Sequence, residues 1–297
     1  MITFLSGGTG TPKLLQGARK VLDDPEISVI VNTGEDIRYQ GGHISPDVDT
    51  VTYLFAGILN TTTWWGIAGD TFTTHGIIRE YLPDAFISIG DLDRAFQIIR
   101  ADLLEKGLTL TEVTREICRH LGISANIVPM SNDRWTTLVR TAAGDMHFQE
   151  YWVRHRGNIP LTAVIHDPIP CPPAAPGALD AIRRAETVII GPSNPVTSIL
   201  PILSCSGIRE ELQGKKVIAV SPFIGDQPVS GPAGQLMEVM GYQADSSGVM
   251  KMYEGIVDLF IQDTRDPVHV PGAARYDTLM KTPEIAGNLM RAILSHT

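Results

Sequence analysis

Cysteine is scarce: Cys118, Cys171 and Cys205 are the only three in 297 residues, they lie far apart, and no C-x-x-C pair occurs. That spacing excludes a thiolate zinc site and a disulfide framework, and fits buried thiols in a reducing compartment. Basic residues are in deficit, 24 against 33 acidic ones, for a formal net charge of −9. Nucleic-acid backbones are bound by clustered Lys and Arg, so nucleic acid is excluded as a partner and any phosphate bound here should be small. No apolar run reaches the ~18 residues of a membrane span, and no basic segment precedes an apolar one at the start. The expectation is a cytoplasmic protein with no membrane partner. Also missing are an H-E-x-x-H pair, a Walker A glycine-lysine pattern, internal repeats and low-complexity tracts.

What the chain does have, at 43% hydrophobic, is enough apolar material for a sizeable core. Apolar runs at Ile2–Ser6, Ile27–Val31, Ala85–Ile89, Ala163–Ile165, Thr187–Ile190, Lys216–Val220 and Asp258–Ile261 read as strands, with helical periodicity between most of them. This alternation predicts an α/β, Rossmann-like, doubly wound and mostly parallel sheet. Asp91 to about Gly122 reads as helix, and Trp135–Arg156 alternates like a hairpin around Ala143-Gly144-Asp145. Residues 91–159 are therefore expected to form an inserted smaller α+β subdomain, and residues 1–90 with 160–297 the nucleotide-binding core. A closing helix is expected from Thr282.

The first strand runs into Gly7-Gly8-Thr9-Gly10, and Thr11-Pro12-Lys13 opens a helix. Glycines let a ligand approach the backbone, and a helix start offers unpaired N–H groups and a positive dipole end to an anion. The G-x-G-x-x-G register from Gly8 meets Lys13 where the third glycine belongs, which weakens a dinucleotide reading. Gly191-Pro192-Ser193-Asn194-Pro195 repeats the strand-to-helix pattern: Ser193 and Asn194 either donate to phosphate or cap the helix. Three acidic pairs, Glu35/Asp36, Asp47/Asp49 and Asp91/Asp93, fall at the carboxyl ends of expected strands or in the loops beyond. Carboxylates beside a phosphate seat call for a hard cation, and Mg²⁺ takes one or two carboxylates plus phosphate and water. Each pair alone would also serve as a helix cap. His43 lies within the acidic loop, and Trp64 and Trp65 follow the helix that Asp47 starts, where they either stack on a flat heterocycle or fill the core.

Together with Met130-Ser131-Asn132-Asp133, these motifs resemble, in order and spacing, the 2-phospho-L-lactate transferase family, CofD. The resemblance implies a Rossmann-like fold, a Mg²⁺ requirement, and a reaction of coenzyme F-420 biosynthesis in methanogenic archaea. In it a 2-phospholactyl or phosphoenolpyruvyl group passes from a guanosine-diphospho donor to the ribityl hydroxyl of the deazaflavin Fo, and GMP leaves. By the same resemblance, Gly7, Gly8, Thr9, Gly10, Thr11, Lys13, Ser193 and Asn194 hold the guanosine diphosphate portion. Asp49, Thr50, Ser88 and Asp91 meet the deazaflavin, and Asp47, Asp49, Glu35 and Asp36 are Mg²⁺ ligands. Asp49 and Asp47 are the catalytic candidates, Asp49 orienting or deprotonating the attacking hydroxyl. Two positions depart from the pattern: Glu35 stands where family members often carry Asp, and Ser88 where they often carry a basic residue. Two-fold assemblies are the commonest for soluble enzymes, so a homodimer is expected. Rival readings are a nucleotide-sugar-binding regulator resembling the gluconeogenesis factor family, which would ignore Fo, and a nicotinamide-dependent oxidoreductase, supported by the first glycine loop alone.

Overall fold

The computed structural model describes residues 1–225, 227–228 and 231–297. Its strands are β1 (Ile2–Ser6), β2 (Ile27–Val31), β3 (Ile37–Tyr39), β4 (Gly42–Ile44), β5 (Asn126–Pro129), β6 (Thr136–Thr141), β7 (Gly144–His147), β8 (Leu161–Asp167), β9 (Thr187–Ile190), β10 (Lys216–Val220), β11 (Phe223–Ile224), β12 (Gln227–Pro228), β13 (Leu259–Asp263) and β14 (Ala274–Tyr276). Seven of them form one all-parallel sheet in the order β14-β13-β10-β9-β1-β2-β5. Every residue of β1, β2 and β9 is buried, as a sheet covered on both faces requires. Register decides which layer each residue feeds. Phe4 sits opposite Val29 and Ile189, in a row that continues to Ile218, and packs under α1 (Gly10–Ala18), α2 (Pro46–Ala56) and the closing helix Pro283–Leu294. The next row, Leu5, Ile30, Ile190 and Ala219, faces the opposite layer, to which a helix over Pro176–Arg184 contributes Ala178, Ala181 and Ile182.

The doubly wound architecture and the closing helix match the sequence reading; Thr282 caps that helix by accepting from the N–H of Ile285 at 3.3 Å. Two strands differ. Ala85–Ile89 forms no strand and lies outside every sheet, its backbone held by a side chain: the Phe86 N–H donates to the Tyr39 hydroxyl at 2.7 Å, and Ile87 and Ile89 pack on Ile44. The edge of the main sheet is taken instead by β5, a four-residue strand ending in proline. Ala163–Ile165 is indeed strand, but it belongs to β8, which pairs antiparallel with β6 in a separate sheet ordered β7-β6-β8. Its half-buried residues suit a sheet with one wetter face. The two layers thus interleave along the chain: β5 lies within residues 91–159, and the small sheet runs on to Asp167. The expected hairpin is real for β6 and β7, but its second arm turns helical over Glu150–Arg154. Asp91–Glu105 and Leu110–His120 are helices, α4 and α5, with α3 (Thr73–Tyr81) before them. Cys118 and Cys205 are buried and Cys171 half-buried, and all three are free. Among the described residues no helix is long and apolar enough to cross a membrane.

Gly17 is where α1 meets the closing helix: a methyl built there would stand 2.3 Å from the carbonyl carbon of Ala286. Gly17→Ala should therefore lower stability by about 1–3 kcal/mol through overpacking, read as a lower urea midpoint with an unchanged slope.

Candidate functional site

β1 and β9 are neighbours where the winding of the sheet reverses, the position at which open α/β sheets leave a crevice beyond their carboxyl ends. Their loops, Gly7–Gly10 and Gly191–Asn194, are expected to make two anion seats. They pack against each other instead. The Ser193 hydroxyl accepts from the N–H groups of Gly7 at 3.0 Å and Thr11 at 3.3 Å, and lies 2.6 Å from the Thr11 hydroxyl. A side chain on Gly10 would strike the Pro192 carbonyl, and one on Gly191 would strike Thr11. Asn194 caps the turn that follows, accepting from Val196 and Thr197. Gly7, Gly10, Thr11, Ser193 and Asn194 thus shape the loop, which leaves the N–H groups of Gly8 and Thr9 without an acceptor among the described residues. Lys13 stands alongside, its ammonium 5.3 Å from the centre of the Trp64 ring, and burial lowers its pKa.

The acidic residues separate into engaged and open carboxylates. Asp49 is engaged: it forms a buried ion pair with Arg100, a residue only 1% exposed, and does not line the cavity described below. In this geometry the guanidinium occupies the carboxylate from which catalytic and Mg²⁺ roles were expected. Asp36 accepts from the Ser45 hydroxyl at 2.7 Å and contacts His43 at 3.0 Å. Asp91 caps α3, accepting from Thr71, Thr73 and Thr74, which hold its pKa well below the usual carboxylate range, and it too lies off the cavity.

Asp47 and Glu35 are open. Asp47 sits in the first turn of α2, behind Pro46; its Oδ2 accepts from Asn32 at 2.8 Å, and its Oδ1 fills the space where a side chain on Gly8 would stand. Glu35 accepts from the side-chain amide of Gln149 at 2.8 Å. Burial pushes Asp47 up to about 7 and raises Glu35 well above its usual value, with the charge of Asp47 adding to the second effect. Asp93 is likewise pushed to about 7, by burial and then by the charge of Asp49, while accepting from the Tyr53 hydroxyl at 2.8 Å.

A cavity of about 790 Å³ joins these groups. Of the residues singled out from sequence it brings together Gly8, Thr9, Glu35, Asp47, Thr50, Ser88 and Asp93. Trp64 and Trp65 line it, half-buried, and so do Phe72, Phe86 and Trp152. These last three, with Gln149 and Arg156, were not visible as site residues in the sequence: Phe72 and Phe86 flank α3 without a motif, and the other three lie in the stretch that reads as hairpin. The cavity therefore combines free backbone donors, uncompensated carboxylates and aromatic walls, a set able to take a phosphorylated ligand and a flat heterocycle.

Removing the Arg100 guanidinium strands the Asp49 charge in the interior, so Arg100→Met should cost about 3–5 kcal/mol in urea unfolding. Pairing it with Asp49→Leu should recover most of the loss. Asp93 carries a pH signature: its pKa rises from 3.8 to about 7 on folding. The native state keeps a proton that the unfolded chain has released, so this contribution to stability is complete below 3.8 and lost as pH rises through about 7. Between those limits the slope of stability against pH should be less negative in Asp93→Asn than in the wild type.

Residues 2–284 match the family described as 2-phospho-L-lactate transferase CofD. The chain is 67% identical to the 2-phospho-L-lactate transferase of Methanospirillum hungatei over 295 residues, with 99% of each chain covered. It is 49% identical to that of Methanocorpusculum labreanum, covering 100% of this chain and 99% of the relative, and 47% identical to that of Methanopyrus kandleri, covering 99% and 96%. In fold it is similar to a crystal structure of a upf0052 family member from Bacillus halodurans, with a TM-score of 0.65, 17% identity, and 99% of this chain and 98% of the other covered. By its match over nearly the whole length and by its relatives, the chain belongs to the 2-phospho-L-lactate transferase CofD family.

Proposed function

We propose that the protein moves a 2-phospholactyl group from a guanosine-diphospho donor to the terminal ribityl hydroxyl of the deazaflavin Fo, releasing GMP, as a step of coenzyme F-420 biosynthesis. The observation that carries this reading is one cavity lined at once by the Gly8-Thr9 loop, the Glu35/Asp47 carboxylates and the Trp64, Trp65, Phe72, Phe86 and Trp152 rings. The backbone donors suit a diphosphate. The rings suit a tricyclic heterocycle.

Glu35 and Asp47 also fit a magnesium ion: two buried carboxylates face one cavity, each with an amide donor rather than a cation beside it. No group of three His, Cys, Asp or Glu stands ready for a metal among the described residues, so donor phosphates and water would complete the shell. When bound, Mg²⁺ would supply charge neutralisation between these acids and the phosphates. Asp36 and Asp49, otherwise engaged, are left out of this set.

The remaining work belongs to the chain. Phosphoryl transfer needs the hydroxyl held in line with the phosphorus and its proton accepted as the new bond forms. Asp47 is the residue we assign to both. Asn32 fixes its Oδ2, which leaves Oδ1 beside Gly8 at the loop we assign to the phosphates, free to accept the proton.

Incubation with Fo, Mg²⁺ and lactyl-diphospho-guanosine should release GMP, and a chain that binds the donor without releasing GMP would sink the reading. Asp47→Asn should slow GMP release by ~100-fold or more while Fo affinity, followed by its fluorescence, changes by less than about threefold. Full turnover in that variant would remove Asp47 from the chemistry.

A further inference from the structure

Arg156 is the one basic residue that lines the cavity among the described residues; the titratable side chains with it, Glu35, Asp47, Asp70 and Asp93, are all acids. Its neighbour Arg154 is tied to Glu150 and Asp84, whereas Arg156 itself makes no ion pair or side-chain hydrogen bond with a described residue. Its backbone is unusual. With φ at +53° it is one of three non-glycine residues in the left-handed region among the described residues, a conformation that glycine or asparagine adopts with less strain. The turn that imposes this φ is firmly held. The N–H of Gly157 donates to the Tyr151 carbonyl at 3.1 Å, the Tyr151 hydroxyl donates to the Gly157 carbonyl at 2.9 Å, and Tyr151 is fully buried. A strained, pre-ordered backbone thus carries an exposed arginine without a protein partner at the edge of an acidic cavity, which is where strain points to use.

We propose that Arg156 is a specificity residue whose guanidinium binds the carboxylate of the acid being transferred. This rests on the donor class argued above and adds a contact to it. Elimination assigns the partner: the donor's phosphates would have the Gly8 and Thr9 N–H groups and, when bound, a cation held by Glu35 and Asp47, while its carboxylate has no other cationic side chain lining the cavity among the described residues. Geometry agrees, because the planar guanidinium fork matches a carboxylate with two parallel hydrogen bonds.

The test is calorimetric binding of lactyl-diphospho-guanosine and of its carboxylate methyl ester to the wild type, Arg156→Gln and Arg156→Lys, in Mg²⁺, with GMP release followed in parallel. Arg156→Gln should weaken the free-acid donor roughly 10- to 100-fold, the range of a charged hydrogen bond, and leave the ester within about threefold of its wild-type affinity. Arg156→Lys should recover part of the loss. Equal weakening of acid and ester would overturn the proposal by moving Arg156 to the phosphates, and unchanged affinity for the acid would overturn it outright. Arg156→Gly separates use from architecture: relieved of the left-handed strain, it should melt at or above the wild-type temperature yet bind the acid as poorly as Arg156→Gln. A clearly lower melting temperature would make Arg156 structural. GMP release by the wild type reports on the transferase reading alone, so the two can fail separately.

Discussion

The Ser193 hydroxyl ties the two halves of the sheet together. One oxygen at the top of β9 receives the N–H of Gly7 at the end of β1 and that of Thr11 in the first turn of α1, and Gly10 and Gly191 beside it let the loops pack too closely for any side chain. Because this knot fixes where α1 begins, it also fixes which N–H groups remain open to a ligand. The glycine-rich loop is therefore read best as joinery with a narrow opening at Gly8 and Thr9, and the second loop as the brace that keeps the opening in shape.

The charge on the cavity wall follows from a single cation in the interior. Arg100, reaching down from α4, neutralises Asp49 and leaves Asp47, Glu35 and Asp93 uncompensated. A buried carboxylate without a partner stays neutral or waits for a cation. The protein thus holds its negative charge in reserve at the wall where a phosphorylated ligand with a divalent ion would supply the balance. The same arithmetic makes Arg156 stand out as the exception on that wall.

Much of this was legible in the residues. Continuous apolar runs such as Ile27–Val31 have no polar face to hide and can only be central parallel strands, and Thr282-Pro283 announces the closing helix. Where the reading departed from the structure, tertiary contacts had replaced local pattern. Ala85–Ile89 is an apolar run like a strand, yet its donors go to Tyr39, a partner 47 residues away for Phe86. Asp47 and Asp49 lie two residues apart in one helical turn and look equivalent in sequence. Only the fold shows that one faces Gly8 and the other faces Arg100. Trp152 and Arg156 carried no signal, because a strand-like stretch gave no hint that it would turn helical and close over the cavity.

The hydrogen bond from Gln149 to Glu35 joins the main sheet to the segment that carries Trp152 and Arg156. An amide donates more strongly to an ionised acid than to a neutral one, so the protonation of Glu35 and the docking of that segment are linked equilibria. Reciprocity then applies: whatever ionises Glu35 tightens the wall over the cavity, and whatever presses the wall into place makes Glu35 more acidic, each by the same free energy.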